Sequence, residues 1–301
     1  MVQMSNRKTA SWLVTLTTLL FTASLAAQDK AYWQEIAKNG YAPPEGSSIP
    51  ELTHKLVALL GSPDPDLRDE IAYSTLTAWI YQKRLLSPED LRPVTAELLQ
   101  NLTKDIGSAG TDAVLRRSFS ALVLSVVVAR DNDRPFLKED EFRTILQGAL
   151  TYADSEKDLR GYDPVKGWMH SAAHTADLLK FLGRSRYLSA SDQAAILSAI
   201  RRKLSGADVV LTFGEDERMA RAVLSIIARA DFDATGFREW LASAKPTRPA
   251  AAKPTIAELA RGQNLKNALS KLAVLLLSLP PDAPHAKESA AMVEETLKGS
   301  F

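Results

Sequence analysis

The chain has 301 residues and no cysteine. That excludes disulfides, thiolate metal sites, cysteine nucleophiles and a lipid-modified cysteine anchor. Neither sign of charge is in excess: 37 Lys+Arg face 36 Asp+Glu, a net charge of +1, without any long basic run. Nucleic-acid binding driven by bulk charge is therefore not expected. Fourteen glycines and fifteen prolines are too few for a collagen-like or low-complexity chain. There is no glycine-rich phosphate loop, no Rossmann fingerprint and no Gly-x-Ser-x-Gly elbow. The chain does have 46% hydrophobic and 24% charged residues, a globular composition with room for about two average domains or one repeat array.

The first apolar stretch reads as an address. Arg7 and Lys8 precede an apolar run from Ala10 to Leu25, and Ser24-Leu25-Ala26-Ala27 supplies small residues for cleavage. This is the pattern of a secretory signal peptide over residues 1–27, and the run is short for a retained anchor. Its removal takes Arg7 and Lys8 and no acid, turning the net charge from +1 to −1. A periplasmic or secreted protein without cysteine is the expectation, with no stable membrane span after cleavage.

Downstream, a step of 51 residues recurs. Leu86-Ser87-Pro88-Glu89-Asp90, Leu137-Lys138-Glu139-Asp140-Glu141 and Leu188-Ser189-Ala190-Ser191-Asp192 each open an apolar-periodic segment, and Val94, Ile145 and Ile196 keep the register. Ser87 and Ser189 read as N-caps, Pro88 suits the first helical position, and Asp90 and Asp192 can complete a capping box. A second kind of helix alternates with the first, beginning near Pro65, Asp112, Asp163 and Gly214, with a fifth member over Asn264–Leu279. Leu59-Leu60-Gly61-Ser62-Pro63-Asp64-Pro65-Asp66-Leu67-Arg68 resembles a HEAT-type repeat, whose Asp-Pro turn precedes a helix carrying arginine. One helix pair cannot bury its apolar face alone, so pairs stack. The expected fold is all-α, an α-solenoid of four to five helix pairs. The expected map is a signal peptide over 1–27, an N-terminal helix and Pro-rich linker over 28–50, the solenoid over 51–244, a Pro/Ala linker over 245–255 and a C-terminal helix pair over 256–301.

Two of the four histidines lie close together in Gly161-Tyr162-Asp163-Pro164-Val165-Lys166-Gly167-Trp168-Met169-His170-Ser171-Ala172-Ala173-His174-Thr175-Ala176-Asp177. With Asp163 as N-cap and Pro164 first in a helix, Gly167, His170, His174 and Asp177 would share one face. Imidazoles at i and i+4 can share a divalent metal such as zinc, with Asp177 as a third ligand or as the partner that orients His174. Ser171 stands where a zincin has its glutamate, which rules out that class of metalloprotease. The competing readings are a non-catalytic ligand groove and a buried polar network that joins Asp163, Asp177, Arg117 or Arg218. Trp168 reads first as a packing residue. The Glu215-Asp216-Glu217 cluster reads as a helix-start cap, near enough in a stack to bring a carboxylate to the histidines.

Gly161-Tyr162-Asp163, Lys166-Gly167-Trp168, His170, Ala173-His174 and Ala176-Asp177-Leu178-Leu179 together resemble the signature of an uncharacterised bacterial family, a domain of unknown function. Arg68-Asp69-Glu70, Tyr73-Ser74-Thr75-Leu76 and Asp216-Glu217-Arg218 match its style, so the resemblance spans roughly Leu52 to Trp240. It implies a helical repeat domain and brings no catalytic residues. No cofactor follows from the residues alone. The reading is a binding or scaffold module that takes a protein or peptide partner on a concave face through Asp163, Trp168, His170, His174 and Asp177. The alternative is a hydrolase-like metal enzyme centred on His170, His174 and Asp177.

Overall fold

A computed structural model describes residues 30–300; residues 1–27, read above as a signal peptide, lie outside the described residues. The chain divides into two compact units, Met1–Ser48 and Ile49–Phe301. In the first, a helix, α1, covers 30–38 and ends in a turn at Gly40 and Tyr41, both at positive φ.

The second unit is all-α apart from one small hairpin. Its first helix is α2 (Ile49–Leu59). The next, α3, is wound as π-helix over Asp66–Tyr73, as α-helix over Ser74–Thr77 and as π-helix again over Ala78–Gln82. Then come α4 (Pro88–Thr103), α5 (Ala113–Asp133), α6 (Glu139–Ser155), the strands β1 (Tyr162–Asp163) and β2 (Gly167–Trp168), and α7 (Ser171–Leu182). The last helices are α8 (Ala190–Gly206), α9 (Glu215–Ile227), α10 (Ala234–Ser243), α11 (Ile256–Leu277) and α12 (Ala286–Leu297). Among the described residues no helix is long and apolar enough to cross a membrane.

The helix starts with the 51-residue step fall where their local chemistry puts them. Ser87 and Ser189 accept from the backbone N–H of Asp90 and Asp192, whose carboxylates accept in return from the serine N–H groups. In the middle copy lysine has no acceptor to offer, and only the Glu141 half of the box forms, at 2.8 Å. The leucines before these caps and Val94, Ile145 and Ile196 are all buried. The same acids also tie one copy to the next: Arg92 Nε donates to Glu141 Oε1 at 2.6 Å, and Arg143, one step on, donates to Asp192.

Packing follows two alternating rows. Helices α3, α5, α7, α9 and α11 are successive neighbours, and α2, α4, α6, α8, α10 and α12 are successive neighbours in a second row. Between the rows α4 packs on α5, α6 on α7 and α11 on both α8 and α12. Adjacent rows let each helix bury one stripe against its partner and another against its neighbours.

One ion pair is wholly removed from water. Arg117 on α5 grips Glu156, just past α6, with Nε to Oε2 at 2.5 Å and Nη2 to Oε1 at 3.0 Å. Its Nη1 donates to the carbonyls of Lys104 and Asp105, and buried Lys203 donates to the Glu156 carbonyl at 2.9 Å. Removing one partner of such a pair strands a charge in low dielectric. Arg117→Leu should therefore cost about 3–5 kcal/mol in urea unfolding, and Arg117→Leu/Glu156→Leu clearly less. A single variant as stable as the wild type would contradict a stabilising pair.

Candidate functional site

The helix expected to start at Asp163 does not form there. Tyr162 pairs with Trp168 and Asp163 with Gly167 in an antiparallel hairpin. Asp-Pro suits positions i and i+1 of a type I turn as well as it suits a helix start. Here the Asp163 carboxylate accepts from the N–H groups of Val165 and Lys166, both at 2.8 Å, and closes the turn. Gly167 decides the outcome. Its φ is +72°, and a Cβ there would lie 3.1 Å from Pro65 Cβ and 3.3 Å from Arg68 Nη2. A residue at that φ ends a three-residue hairpin loop and cannot continue a right-handed helix.

The hairpin is held from beneath. Arg68, fully buried in the π-wound start of α3, donates from Nη2 to the Lys166 carbonyl at 2.7 Å and from Nη1 to the Ser62 carbonyl at 2.9 Å. Its Nε lies 2.7 Å from Asp69 Oδ1, and its guanidinium sits over the Phe119 ring. Lys166 Nζ reaches Asp112, and the N–H groups of Met169 and His170 bond to the carbonyls of Gly161 and Arg160.

His170 therefore precedes α7 instead of lying within it, in left-handed backbone at φ 49°. That conformation is costly for a side-chain-bearing residue and is retained where the surroundings dictate it. Gly167, His170, His174 and Asp177 do not share one helical face, since only the last two lie within α7. The two imidazoles still meet edge to face, ring centroids 5.7 Å apart. His174 Nδ1 is 2.8 Å from Ser118 Oγ, which itself donates to the Met169 carbonyl. The imidazole thus bonds Ser118 on α5, and Asp177 instead accepts from Arg218 on α9 and from Lys180 at 3.1 Å. Arg218 joins this network, whereas Arg117 belongs to the separate pair with Glu156. Asp163 serves the hairpin turn. Among the described residues no group of three His, Cys, Asp or Glu side chains is arranged to hold a metal ion.

Trp168 packs through one face and leaves the rest of its ring open. It is 39% exposed, beside Tyr162 at 49% and Phe213 at 46%. One face of its indole stacks on His170 at 4.2 Å, and Tyr162 and Phe213 meet it edge-on at 4.8 and 5.9 Å. Val165 on the hairpin turn, and Val209 and Val210 on the loop that carries Phe213, are exposed as well. Tyr162, Phe213 and Ser118 complete the site without having been singled out as its members, whereas Glu215 is the member of the Glu215-Asp216-Glu217 cluster that comes within 3.9 Å of His170. Tyr162 stood inside the signature segment, whereas nothing local marks Ser118 or Phe213.

Residues 102–275 match the family described as "Protein of unknown function (DUF2785)". The chain belongs to this family. The matched segment contains the hairpin, both imidazoles and Arg218, whereas Arg68 and Asp69 precede it. Comparison with curated proteins and with solved structures finds no match. The family's description carries no activity, so the chemistry has to be read from the side chains themselves.

Burial and the nearby Arg218 cation push His170 down to about 4, against smaller upward pulls from the Phe213 carbonyl and Asp177. Burial, His170 and Arg218 hold His174 well below the ordinary range. Both rings are neutral at physiological pH. Burial raises Asp69 to about 6, even with Arg68 alongside. In the unfolded chain the histidines take up protons near their ordinary 6.5, so stability falls as pH drops from 6.5 toward 4, where folded His170 also titrates. Asp69 acts in the opposite sense, its contribution being full below 3.8 and lost as pH rises through about 6. With two histidines against one aspartate, the urea midpoint should fall between neutral pH and pH 4. His170→Asn should remove on the order of 3 kcal/mol of that dependence. A flat profile, or one that the substitution leaves unchanged, would contradict the buried neutral ring.

Proposed function

We propose that this member of the family is an exported, non-enzymatic binding module. In this reading its two rows of helices form an α-solenoid that carries a protein or peptide partner on the rim formed by the hairpin. The observation that supports this most strongly is the trio Tyr162, Trp168 and Phe213, about half-exposed, with Tyr162 and Phe213 each in edge contact with the Trp168 ring on the braced hairpin. Exposed aromatic clusters on rigid supports are the usual anchors of binding surfaces, because large flat rings bury much area at little entropic cost. The groups beneath them, by contrast, are occupied with one another: Asp177 with Arg218 and Lys180, and His174 with Ser118. The occupant that fits is an extended peptide segment that lays apolar side chains on the Trp168 platform while its backbone meets the polar edge.

Random-peptide display on the immobilised mature chain tests this. Enriched peptides should bind the wild type and lose about 2 kcal/mol, roughly thirtyfold, on Trp168→Ala or Phe213→Ala. Both variants should keep the thermal midpoint within a few degrees. Peptides that bind the variants equally well, or no enrichment at all, would overturn the reading.

A further inference from the structure

At the far end of α7 from the hairpin, where α5, α7 and α9 end, lies a cavity of about 770 Å³. Five cations and two carboxylates line it: Lys180, Arg184, Arg186, Arg221 and Arg229 against Asp131 and Asp231. Two of the arginines are committed to the fold. Arg186 donates to Asp131 at 2.8 Å and to the Leu137 carbonyl at 2.7 Å. Arg229 holds Asp231 and the carbonyls of Gly183, Ser185 and Leu188. Lys180 and Arg221 each lean on a carboxylate outside the cavity wall. Asp177, which takes Lys180, already serves Arg218, and the half-exposed Glu217 takes Arg221.

Arg184 has no such partner. Among the described residues no carboxylate lies within ion-pair distance of it, and its one hydrogen bond to the protein runs from Nε to Ser225 Oγ at 3.2 Å. That hydroxyl is itself fixed, since it donates to the Arg221 carbonyl at 3.1 Å. Arg184 and Lys180 also share a ring. Cζ of the first lies 5.1 Å and Nζ of the second 4.6 Å from the Phe181 centroid. The guanidinium is thus held through Nε and its flat face, which leaves the Nη1 and Nη2 edge to a ligand. Such an edge meets a carboxylate or a phosphate with two parallel bonds. Burial lowers Arg184 below the ordinary arginine range, with no anion to pull it back. Two cations at one ring repel each other, and an anion that meets both turns that repulsion into attraction. Helix C-termini work against an anion, but here their carbonyls are covered. Asn132 donates to the Phe181 carbonyl at 2.8 Å, and Arg229 to those of Gly183 and Ser185. Pro135, Leu224, Ala228 and Leu279 add apolar wall.

We infer that this cavity binds a small organic oxyanion, with its carboxylate or phosphate head received by Arg184 beside Lys180 and Arg221 and its apolar body against Leu224, Ala228 and Leu279. Both heads offer the same chemistry, negative charge spread over acceptor oxygens that a guanidinium fork can meet. The site stands apart from the aromatic platform and does not depend on it.

Titration calorimetry of the mature chain with hexyl phosphate and with hexanoate, and with hexanol as the neutral counterpart, tests the site. At least one of the anions should bind saturably and hexanol should not. Arg184→Gln should weaken that binding by about tenfold or more. Arg184→Lys keeps the charge and loses the fork, and it should weaken binding in the same direction even if Arg184→Gln does not fold. Arg238→Gln removes an equal charge from the exposed surface of α10 and should leave binding unchanged. Tighter hexyl phosphate would assign the cavity to a phosphate monoester, and tighter hexanoate to a carboxylate. No saturable binding of either anion at millimolar concentration, equal binding by both Arg184 variants and the wild type, or an equal loss in Arg238→Gln would overturn the inference.

Discussion

Arg68 is a guanidinium without access to solvent, and its donors must be met inside the protein. The Ser62 and Lys166 carbonyls accept from its Nη1 and Nη2, while Nε lies 2.7 Å from Asp69 Oδ1 as an ion-pair approach without hydrogen-bond geometry. This single group thus binds the α2–α3 turn to a hairpin 98 residues later in the chain. The aromatic rim depends on that link. Without it the Lys166 carbonyl lacks its donor, Gly167 loses the neighbour that shapes its turn, and Trp168 loses its fixed position over His170. The π-winding of α3 belongs to the same arrangement. The N–H and the hydroxyl of Ser74 both reach the Asp69 carbonyl five residues back, a wide turn over the stretch that carries Arg68 and Asp69. Wide turns of this kind are frequent where a helix serves a site.

Buried charge is distributed unevenly through the second unit, and the unevenness separates structure from function. Arg117 and Glu156 satisfy each other in a bidentate pair braced by backbone carbonyls. Such closure buys fixed geometry between α5 and α6 and leaves nothing for a ligand. Around the hairpin closure is incomplete. His170 keeps a strained backbone and an unpartnered nitrogen, and Glu215 keeps a carboxylate with no cation. Residues that break local rules where the rest of the fold obeys them are the ones expected at a functional site.

The helix starts at Pro88, Glu139 and Ala190 were legible in the sequence, because a serine or an acid at an N-terminus acts on its immediate neighbours. The all-α class and the family followed from the same repeated segments and from the signature between Gly161 and Leu179. The hairpin was not legible. Asp163-Pro164 opens a helix or a turn with equal ease, and the choice lay with Gly167, whose close neighbours Pro65 and Arg68 are about a hundred residues away. Asp177 was read as a partner of His174, and of the two arginines weighed for a polar network it takes Arg218; the Ser118 partner of His174 was not foreseen. Ser118 lies 56 residues from His174, and no local pattern marks that contact. A carboxylate from Glu215-Asp216-Glu217 near the histidines was foreseen from stacking alone, and Glu215 is the one that reaches His170.

Peptide-resolved hydrogen exchange on Arg68→Met tests the dependence on Arg68 directly. The amides of Met169 and His170, which bond to Gly161 and Arg160, should lose protection while α10, α11 and α12 keep theirs. Unchanged protection in the hairpin, or loss spread evenly through every helix, would contradict the claim that Arg68 holds the rim in place.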